Sequence, residues 1–370
     1  MDFLKDVFIE TMASAMRSNY NDTKKRKLAE AKFLVLFGVG EFAHHIKRQL
    51  EDSNLPYAYC DFNESLWDTE IDGVKVLSFA QLSRLQRDGL LVGITSGRGV
   101  IAISKLSEIG ISNYIDFTVE SEPLHLMHYN HDLIMKNLDG LKQTYDWFED
   151  ELSKQTMLSI FQYRITGDAA YLPPVDDNSY FHLLVRPRLG DVIIDGGAYI
   201  GDTAIPFAKH LKNQCTIYSF EPGEENYNAL LDNIKNEEME NICYPIKAGL
   251  WDENTVIKIN AEQGKGVHVV AEGISIAAIT LDTFVKDKSI QPDLIKLDVE
   301  GAEENVILGA VETIYKYRPR LQICLYHKAN DFWTIPQLIK RIEPRYRFYF
   351  AHHDNRLCES VLYAIFDPYK

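Results

Sequence analysis

Asp191-Val192-Ile193-Ile194-Asp195-Gly196-Gly197-Ala198-Tyr199-Ile200-Gly201-Asp202-Thr203 is the stretch that decides how this chain is read. Val192 to Ile194 is a short β-branched apolar run, the signature of a strand buried on both faces of a parallel sheet. An acid ends the strand and a glycine-rich turn follows. Asp202 and Thr203 then open an amphipathic helix predicted to reach about Leu211, with Pro206 tolerated in its first turns. Glycines in such a turn let backbone approach a ligand closely, because no Cβ intervenes.

The position of the acid separates two cofactor classes. Dinucleotide sites place G-x-G-x-x-G directly after the strand and keep their acid about 20 residues further on. Here Asp195 precedes the glycines, the order found in sites for S-adenosylmethionine.

Working outward, 370 residues are too many for one ordinary core and predict two domains. With 46% hydrophobic and 11% aromatic residues the chain can fill them. A formal net charge of −15 and a pI of about 5.2 argue against nucleic acid or an anionic membrane as the main partner. The run Lys24-Lys25-Arg26-Lys27 reads as a solvated helix end. Five scattered cysteines without a C-x-x-C pair read as reduced core thiols. No apolar stretch reaches the ~18 residues of a membrane span, and a cytoplasmic location is expected. A homo-oligomer is compatible with the sequence.

Residues 1–117 are expected to form amino-terminal helices and a small Rossmann-like α/β module. Lys32 to Phe37 reads as a strand followed by Gly38-Val39-Gly40-Glu41-Phe42-Ala43, a G-x-G-x-x-A fingerprint, and a second strand ends at Asp61. Gly38, Gly40 and Asp61 form a candidate nucleotide half-site, against which stands a degenerate module kept for packing. Ser96-Gly97-Arg98-Gly99 opens another helix as an anion cradle. Residues 118–180 read as a helical connector, with helices at Leu126 to Leu138 and Leu141 to Ile160; Tyr171 to Pro174 and Tyr180-Phe181 are candidate flaps over a cofactor.

Residues 181–370 read as a second α/β domain, a doubly wound, mostly parallel sheet with a closing antiparallel hairpin at Tyr346 to Phe350 and Ser360 to Phe366. Thr255 to Ile259, Val267 to Val270 and Ile276 to Leu281 alternate like an antiparallel insert, and single helices are predicted over Glu303 to Tyr317 and Ile335 to Ile342. Ligands of such sheets sit at the strand carboxyl ends. There, Glu221 beside Pro222 suits both hydroxyls of a ribose. Asp195 suits the methionyl part. Leu250 and Trp251 after Gly249 offer flat apolar surface to adenine, with Asp252 near its exocyclic amine.

These residues resemble the FkbM-type methyltransferase family, a branch of the class I S-adenosylmethionine-dependent fold. The resemblance covers roughly residues 185–366. It rests on Asp195 to Thr203, on Phe220-Glu221-Pro222 with Asn226 and Asn233, and on Thr280-Leu281-Asp282. Its most specific piece is Ile295-Lys296-Leu297-Asp298-Val299-Glu300-Gly301-Ala302-Glu303 with Gly309-Ala310. Many members carry Glu-x-His after strand five, where this chain has Leu325-Tyr326-His327-Lys328. The resemblance implies S-adenosyl-L-methionine as cofactor and O-methylation of a hydroxyl on a sugar, glycolipid, polyketide or related metabolite, nucleotide- or lipid-linked sugars included. It implies cofactor contacts from Asp195, Gly196, Gly197, Ala198, Tyr199, Gly201, Asp202, Thr203, Glu221, Pro222, Asn226, Gly249, Leu250, Trp251, Asp252 and Asp298.

His327, at the end of an apolar strand, is the expected base, with Asp298, Glu300 and Lys328 beside it and Tyr326 turned to the opposite face. Asp298 and Glu300 also read as helix-start acids. The spacing of Asp298, Glu300 and a histidine is not diagnostic of a cation, and no metal is expected. His352-His353 read as exposed turn residues. Two other functions stay open: a nicotinamide-dependent oxidoreductase using the amino-terminal fingerprint, and a non-catalytic sugar-binding or scaffold protein.

Overall fold

The computed structural model describes residues 6–17, 20–49, 55–85, 88–96, 99–117, 131–175, 179–260, 268–354 and 358–369. Gly97, Arg98, Leu126 to Asn130 and Val267 lie outside them, and with them parts of the anion cradle, the first connector helix and one insert strand. The chain divides into two compact units. One comprises Met1–Lys136, Gln155–Val175 and Asp354–Leu357; the other Asn137–Lys154, Asp176–His353 and Cys358–Lys370. Residues 118–180 are thus shared between the units, and the helix Glu151–Thr166 contributes to both.

In the first unit β1 (Phe33–Phe37), β2 (Tyr57–Cys60), β3 (Glu70–Ile71), β4 (Val74–Leu77), β5 (Leu90–Ile94) and β6 (Tyr114–Asp116) form a sheet in the order β3-β4-β2-β1-β5-β6. All neighbours are parallel except β3 and β4. The basic run lies in the helix Tyr20–Glu30 and is not simply solvated. Lys24 Nζ sits 4.8 Å from the Phe117 ring centroid, and burial pulls its pKa down to about 8. Lys27 Nζ donates to the Tyr114 carbonyl at 2.7 Å.

The second unit contains β7 (Val192–Gly196), β8 (Thr216–Phe220), β9 (Cys243–Ile246), β10 (Gly249–Leu250), β11 (Thr255–Ile259), β12 (Ile274–Ile279), β13 (Leu294–Leu297), β14 (Arg320–Cys324), β15 (Tyr346–His352) and β16 (Ser360–Phe366). Seven of them form one sheet in the order β15-β16-β14-β13-β7-β8-β9. The five strands from β9 to β14 are parallel, and β16 pairs antiparallel with both β14 and β15. This is the doubly wound sheet with the closing hairpin that the sequence predicted. Chain order reverses between β7 and β13, so the crevice of an open α/β sheet opens there. Every residue of β13 and β14 is buried, as strands covered on both faces require, and the polar ones among them, Lys296, Arg320 and Gln322, are each hydrogen-bonded.

Several local expectations change. The insert is a three-stranded sheet, β10-β12-β11, in which Val269 makes only an isolated bridge to Ile259. The helix predicted over Glu303 to Tyr317 is two, Glu303–Leu308 and Val311–Tyr317. At the break the Gly309 carbonyl accepts from the Asp282 amide at 2.9 Å, and a Cβ on Gly309 would stand 2.0 Å from the Trp251 carbonyl oxygen. Asp282 caps the second helix, accepting from the amides of Glu312 at 3.0 Å and Thr313 at 2.7 Å. His352 and His353 are not exposed turn residues; they bond Ser360 Oγ at 2.9 Å and the Tyr363 hydroxyl at 2.8 Å.

Candidate active site

The ends of β7, β8, β13 and β14 meet at a cavity of about 250 Å³ in the second unit. Lys296 on β13 lies opposite Asp195 on β7 in the strand register. Both are buried. Lys296 Nζ is 3.1 Å from Asp195 Oδ1 and donates to the Gly197 carbonyl at 2.8 Å. Burial disfavours the ammonium, but Asp195 and Asp298 outweigh it and raise its pKa. Asp195, expected to orient a methionyl group, therefore stands behind the turn and orders it. The turn's tightest glycine also serves the protein: Gly197 has φ +77°, and a Cβ there would stand 1.7 Å from the Asp298 carbonyl oxygen. Gly201 likewise packs on Ile205 and Leu230. Only glycine lets the ends of β7 and β13 come this close.

At the end of β8, Glu221 is 4% exposed and faces the cavity. Its Oε2 accepts from the Tyr199 amide at 3.0 Å and its Oε1 from the Gly223 amide at 2.8 Å, with the Asn226 amide group at 3.5 Å. Burial pushes its pKa up to about 7 against these bonds. A carboxylate offers about four acceptor positions; Oε2 keeps one, and the second on Oε1 is held only by the long 3.5 Å contact to Asn226, which a ligand hydroxyl can displace. Beside it Leu250, Trp251 and Ala248 form an apolar wall, and Ile257, Ile259 and Ile276 of the three-stranded sheet extend it. Asp252 does not reach the cavity; its Oδ2 accepts from Asn305 at 2.7 Å.

The opposite wall carries Asp298, Val299, Glu300 and Tyr326. Asp298 Oδ1 accepts from the Tyr326 hydroxyl at 3.0 Å and Oδ2 from the Tyr180 hydroxyl at 3.1 Å. Burial raises its pKa, but Lys296 and His327 overcome this and leave it below the usual value. Tyr180 is no flap: it is buried and also touches Cys324 Sγ at 3.2 Å. The expected directions at the end of β14 are reversed. Tyr326 faces the cavity, and His327 lies behind it at 5% exposure. β14 ends at Cys324, so strand alternation no longer governs either residue.

His327 Nδ1 is 2.8 Å from Glu303 Oε1, and its Nε2 is 3.2 Å from Glu300 Oε2 and 3.4 Å from Asp298 Oδ1. Burial lowers the ring's pKa, yet Glu303, Glu300 and Asp298 prevail and raise it well above the ordinary value. A protonated ring accepts no proton, so this geometry does not present His327 to the cavity as a base. Lys328 does not line the cavity; its stem packs near Gly301, and its amide donates to Asp331 at 2.8 Å.

Of the residues expected at the cofactor, Gly197, Tyr199, Asp202, Glu221, Pro222, Asn226, Gly249, Leu250, Trp251 and Asp298 line the cavity. Asp195, Gly196, Ala198, Gly201 and Thr203 support it from behind. Sequence reading gave Lys296 and Glu303 no site role beyond their motif, cast Tyr180 as a flap, turned Tyr326 away from the cavity, and missed Glu359, which also lines it. Four residues around it hold left-handed backbone: Tyr180 at φ 64°, Tyr199 at 46°, Glu300 at 53° and Glu359 at 58°.

In the first unit, Asp61 accepts from the Val39 amide at 3.0 Å and the Asn63 amide at 2.8 Å. A Cβ on Gly38 would stand 2.8 Å from the Ser96 nitrogen. Both features bind the fingerprint turn to its own module.

The family model described as the methyltransferase FkbM domain matches residues 195–361. This stretch is an FkbM methyltransferase domain. The chain is similar to the crystal structure of a methyltransferase FkbM from Methylobacillus flagellatus KT, at 18% identity and a TM-score of 0.72, over 97% of this chain and 99% of that one. That likeness shows a common fold. A S-adenosylmethionine-dependent methyltransferase from Aquifex aeolicus (13% identity, 48% of this chain and 84% of that one, TM-score 0.31) is more distant. So is Aeropyrum pernix fibrillarin with natively bound S-adenosyl-L-methionine (12%, 48% and 70%, TM-score 0.33). No curated protein matches the sequence. Among the described residues no helix is long and apolar enough to cross a membrane.

Proposed function

We propose that this FkbM methyltransferase domain is an S-adenosylmethionine-dependent O-methyltransferase acting on a hydroxyl of a sugar, glycolipid, polyketide or related small molecule in the cytoplasm. The observation that carries the reading is Glu221. Its Oε2 keeps an acceptor position and its Oε1 gives one up only to the long Asn226 contact, and both oxygens belong to a cavity whose adjoining wall is the apolar Leu250–Trp251 surface. An acid for a ribose next to a dry wall for a base fits an adenosyl group.

When bound, the cofactor supplies an already activated methyl group. Glu221 then fixes the ribose, Leu250 and Trp251 hold the base, and the three-stranded sheet keeps water away. Asp298, Glu300 and Tyr326 on the other wall orient the acceptor hydroxyl. Alignment of this kind contributes ~7 to 11 kcal/mol at its limit.

Calorimetry with S-adenosylmethionine, S-adenosylhomocysteine and NAD(H), followed by a methyl-transfer screen over sugars, lipid-linked sugars and polyols, tests the reading. Binding of the first two is expected, and at least ~10-fold weaker binding in Glu221→Ala, because charged hydrogen bonds contribute ~1.5 to 3 kcal/mol each. Unchanged affinity in that variant removes the ribose assignment. Hydride transfer with NAD(H) would replace the whole reading.

A further inference from the structure

Asp298, Glu300, Glu303 and His327 converge where β13 and β14 end. A cation bound at His327 Nε2 would displace the proton there; Nδ1, 2.8 Å from Glu303 Oε1, then keeps the other proton, and the Nε2 lone pair points toward Asp298 and Glu300. Nε2 is buried, in a side chain 4% exposed, and has no aligned hydrogen-bond partner. Glu300 Oε2 stands 3.2 Å from it and Asp298 Oδ1 3.4 Å. Neighbouring ligands of one small divalent ion, each at ~2.0 to 2.2 Å from it, lie roughly 3.0 to 3.5 Å apart. Both separations fall in that range. Donor atoms of Asp298, Glu303 and His327 lie within 4.8 Å of one another. The remaining oxygen of Glu303, Oε2, is also buried without a hydrogen-bond partner.

We infer that these residues bind a divalent first-row cation through His327 Nε2, Asp298 Oδ1 and Glu300 Oε2, with Glu303 orienting the ring. One imidazole with carboxylates suits Mn²⁺, Fe²⁺, Co²⁺ or Zn²⁺ better than Mg²⁺ or Ca²⁺, which prefer oxygen shells. A carboxylate holding the second nitrogen of a ligating histidine is the usual support of such a site. Asp298 and Glu300 also line the cavity, so open coordination positions face it. There the cation would polarise an acceptor hydroxyl and make its proton easier to lose. That role rests on the proposed function; the binding of the cation does not.

The test is a Mn²⁺ titration of the chelator-treated full chain, followed by electron paramagnetic resonance, with Zn²⁺ as competitor. One saturable site is expected. Glu300→Gln, whose side chain is 32% exposed, should keep the fold and weaken binding at least ~10-fold; Glu303→Gln should lose ~10- to 100-fold and His327→Gln nearly all of it. Circular dichroism and S-adenosylmethionine calorimetry on the same samples report folding and the cofactor site separately. Absence of saturable Mn²⁺ and Zn²⁺ binding in the folded parent overturns the inference. So does binding that Glu300→Gln leaves unchanged. Loss of cofactor binding with the cation site intact would instead count against the proposed function.

Discussion

Gly309 and the Trp251 carbonyl are packed so closely that no side chain fits between them: a Cβ on Gly309 would lie 2.0 Å from that oxygen. The break between two helices is therefore what seats the apolar wall of the cavity. Gly309→Ala must push the Trp251 loop away, because backbone is on both sides of the clash. We expect a loss of ~1 to 3 kcal/mol in stability and a fall of about 10-fold in S-adenosylmethionine affinity. Gly40→Ala is the control. Its Cβ would meet nothing within 4 Å, and it should stay within ~0.5 kcal/mol of the parent. Equal thermal melts and calorimetric affinities for the two variants would refute this account of Gly309.

Glu221 gives a pH dependence with a definite sign. Burial raises its pKa from the ordinary 4.5 to about 7. Its contribution to stability is thus fully present below 4.5 and is lost as pH rises through 7. Cofactor affinity should move the other way, rising between pH 6 and 8 as the carboxylate that accepts two hydroxyls forms. Glu221→Gln should flatten the profile. A profile just as steep in that variant assigns the titration to another group.

The Lys296–Asp195 pair is wholly buried. Lys296→Met strands a carboxylate in the sheet, and removing one member of such a pair costs ~3 to 5 kcal/mol. Replacing both, in Lys296→Met/Asp195→Asn, should recover a good part of that loss. Urea unfolding measures the cycle. A single-variant loss under ~1 kcal/mol would show that the pair does not hold β7 against β13.

Tyr326 donates to Asp298 Oδ1 at 3.0 Å and approaches Glu359 Oε1 at 3.2 Å, all on the cavity wall. Tyr326→Phe should cost ~1.5 to 3 kcal/mol in stability. It should also change acceptor KM or turnover while leaving S-adenosylmethionine affinity within ~2-fold. A shift confined to cofactor affinity would place Tyr326 on the wrong half of the cavity.

The fold was legible because its cues are local. Val192 to Gly197 reads as a buried strand and turn, and the acids closing β7, β8 and β13 mark strand ends. The direction of side chains beyond a strand end was not. Alternation carried past Cys324 turned Tyr326 away and His327 inward, whereas the chain leaves the sheet there. Tyr180 lies 118 residues from the Asp298 it bonds, so no sequence pattern joins them. Lys296 was readable: a lysine between Ile295 and Leu297 in a covered strand must face an acid, and Asp195 was the acid already in view.

Tyr180, Tyr199, Glu300 and Glu359 share backbone torsions that cost ordinary residues about 1 kcal/mol or more each. They come from four separate connections, so the molecule gives up stability at four independent places to shape one cavity: Tyr199, Glu300 and Glu359 line it, and Tyr180 holds Asp298 from behind. Such positions are where selection for heat resistance and selection for activity pull apart. Glu359→Gly should raise the unfolding free energy by up to ~1 kcal/mol by relieving its torsion, while removing a carboxylate from the cavity wall. A library selected only for thermal survival should drift toward glycine at Glu359 and fall silent as it does, whereas buried Tyr180, whose loss would cost ~3 to 5 kcal/mol, should stay.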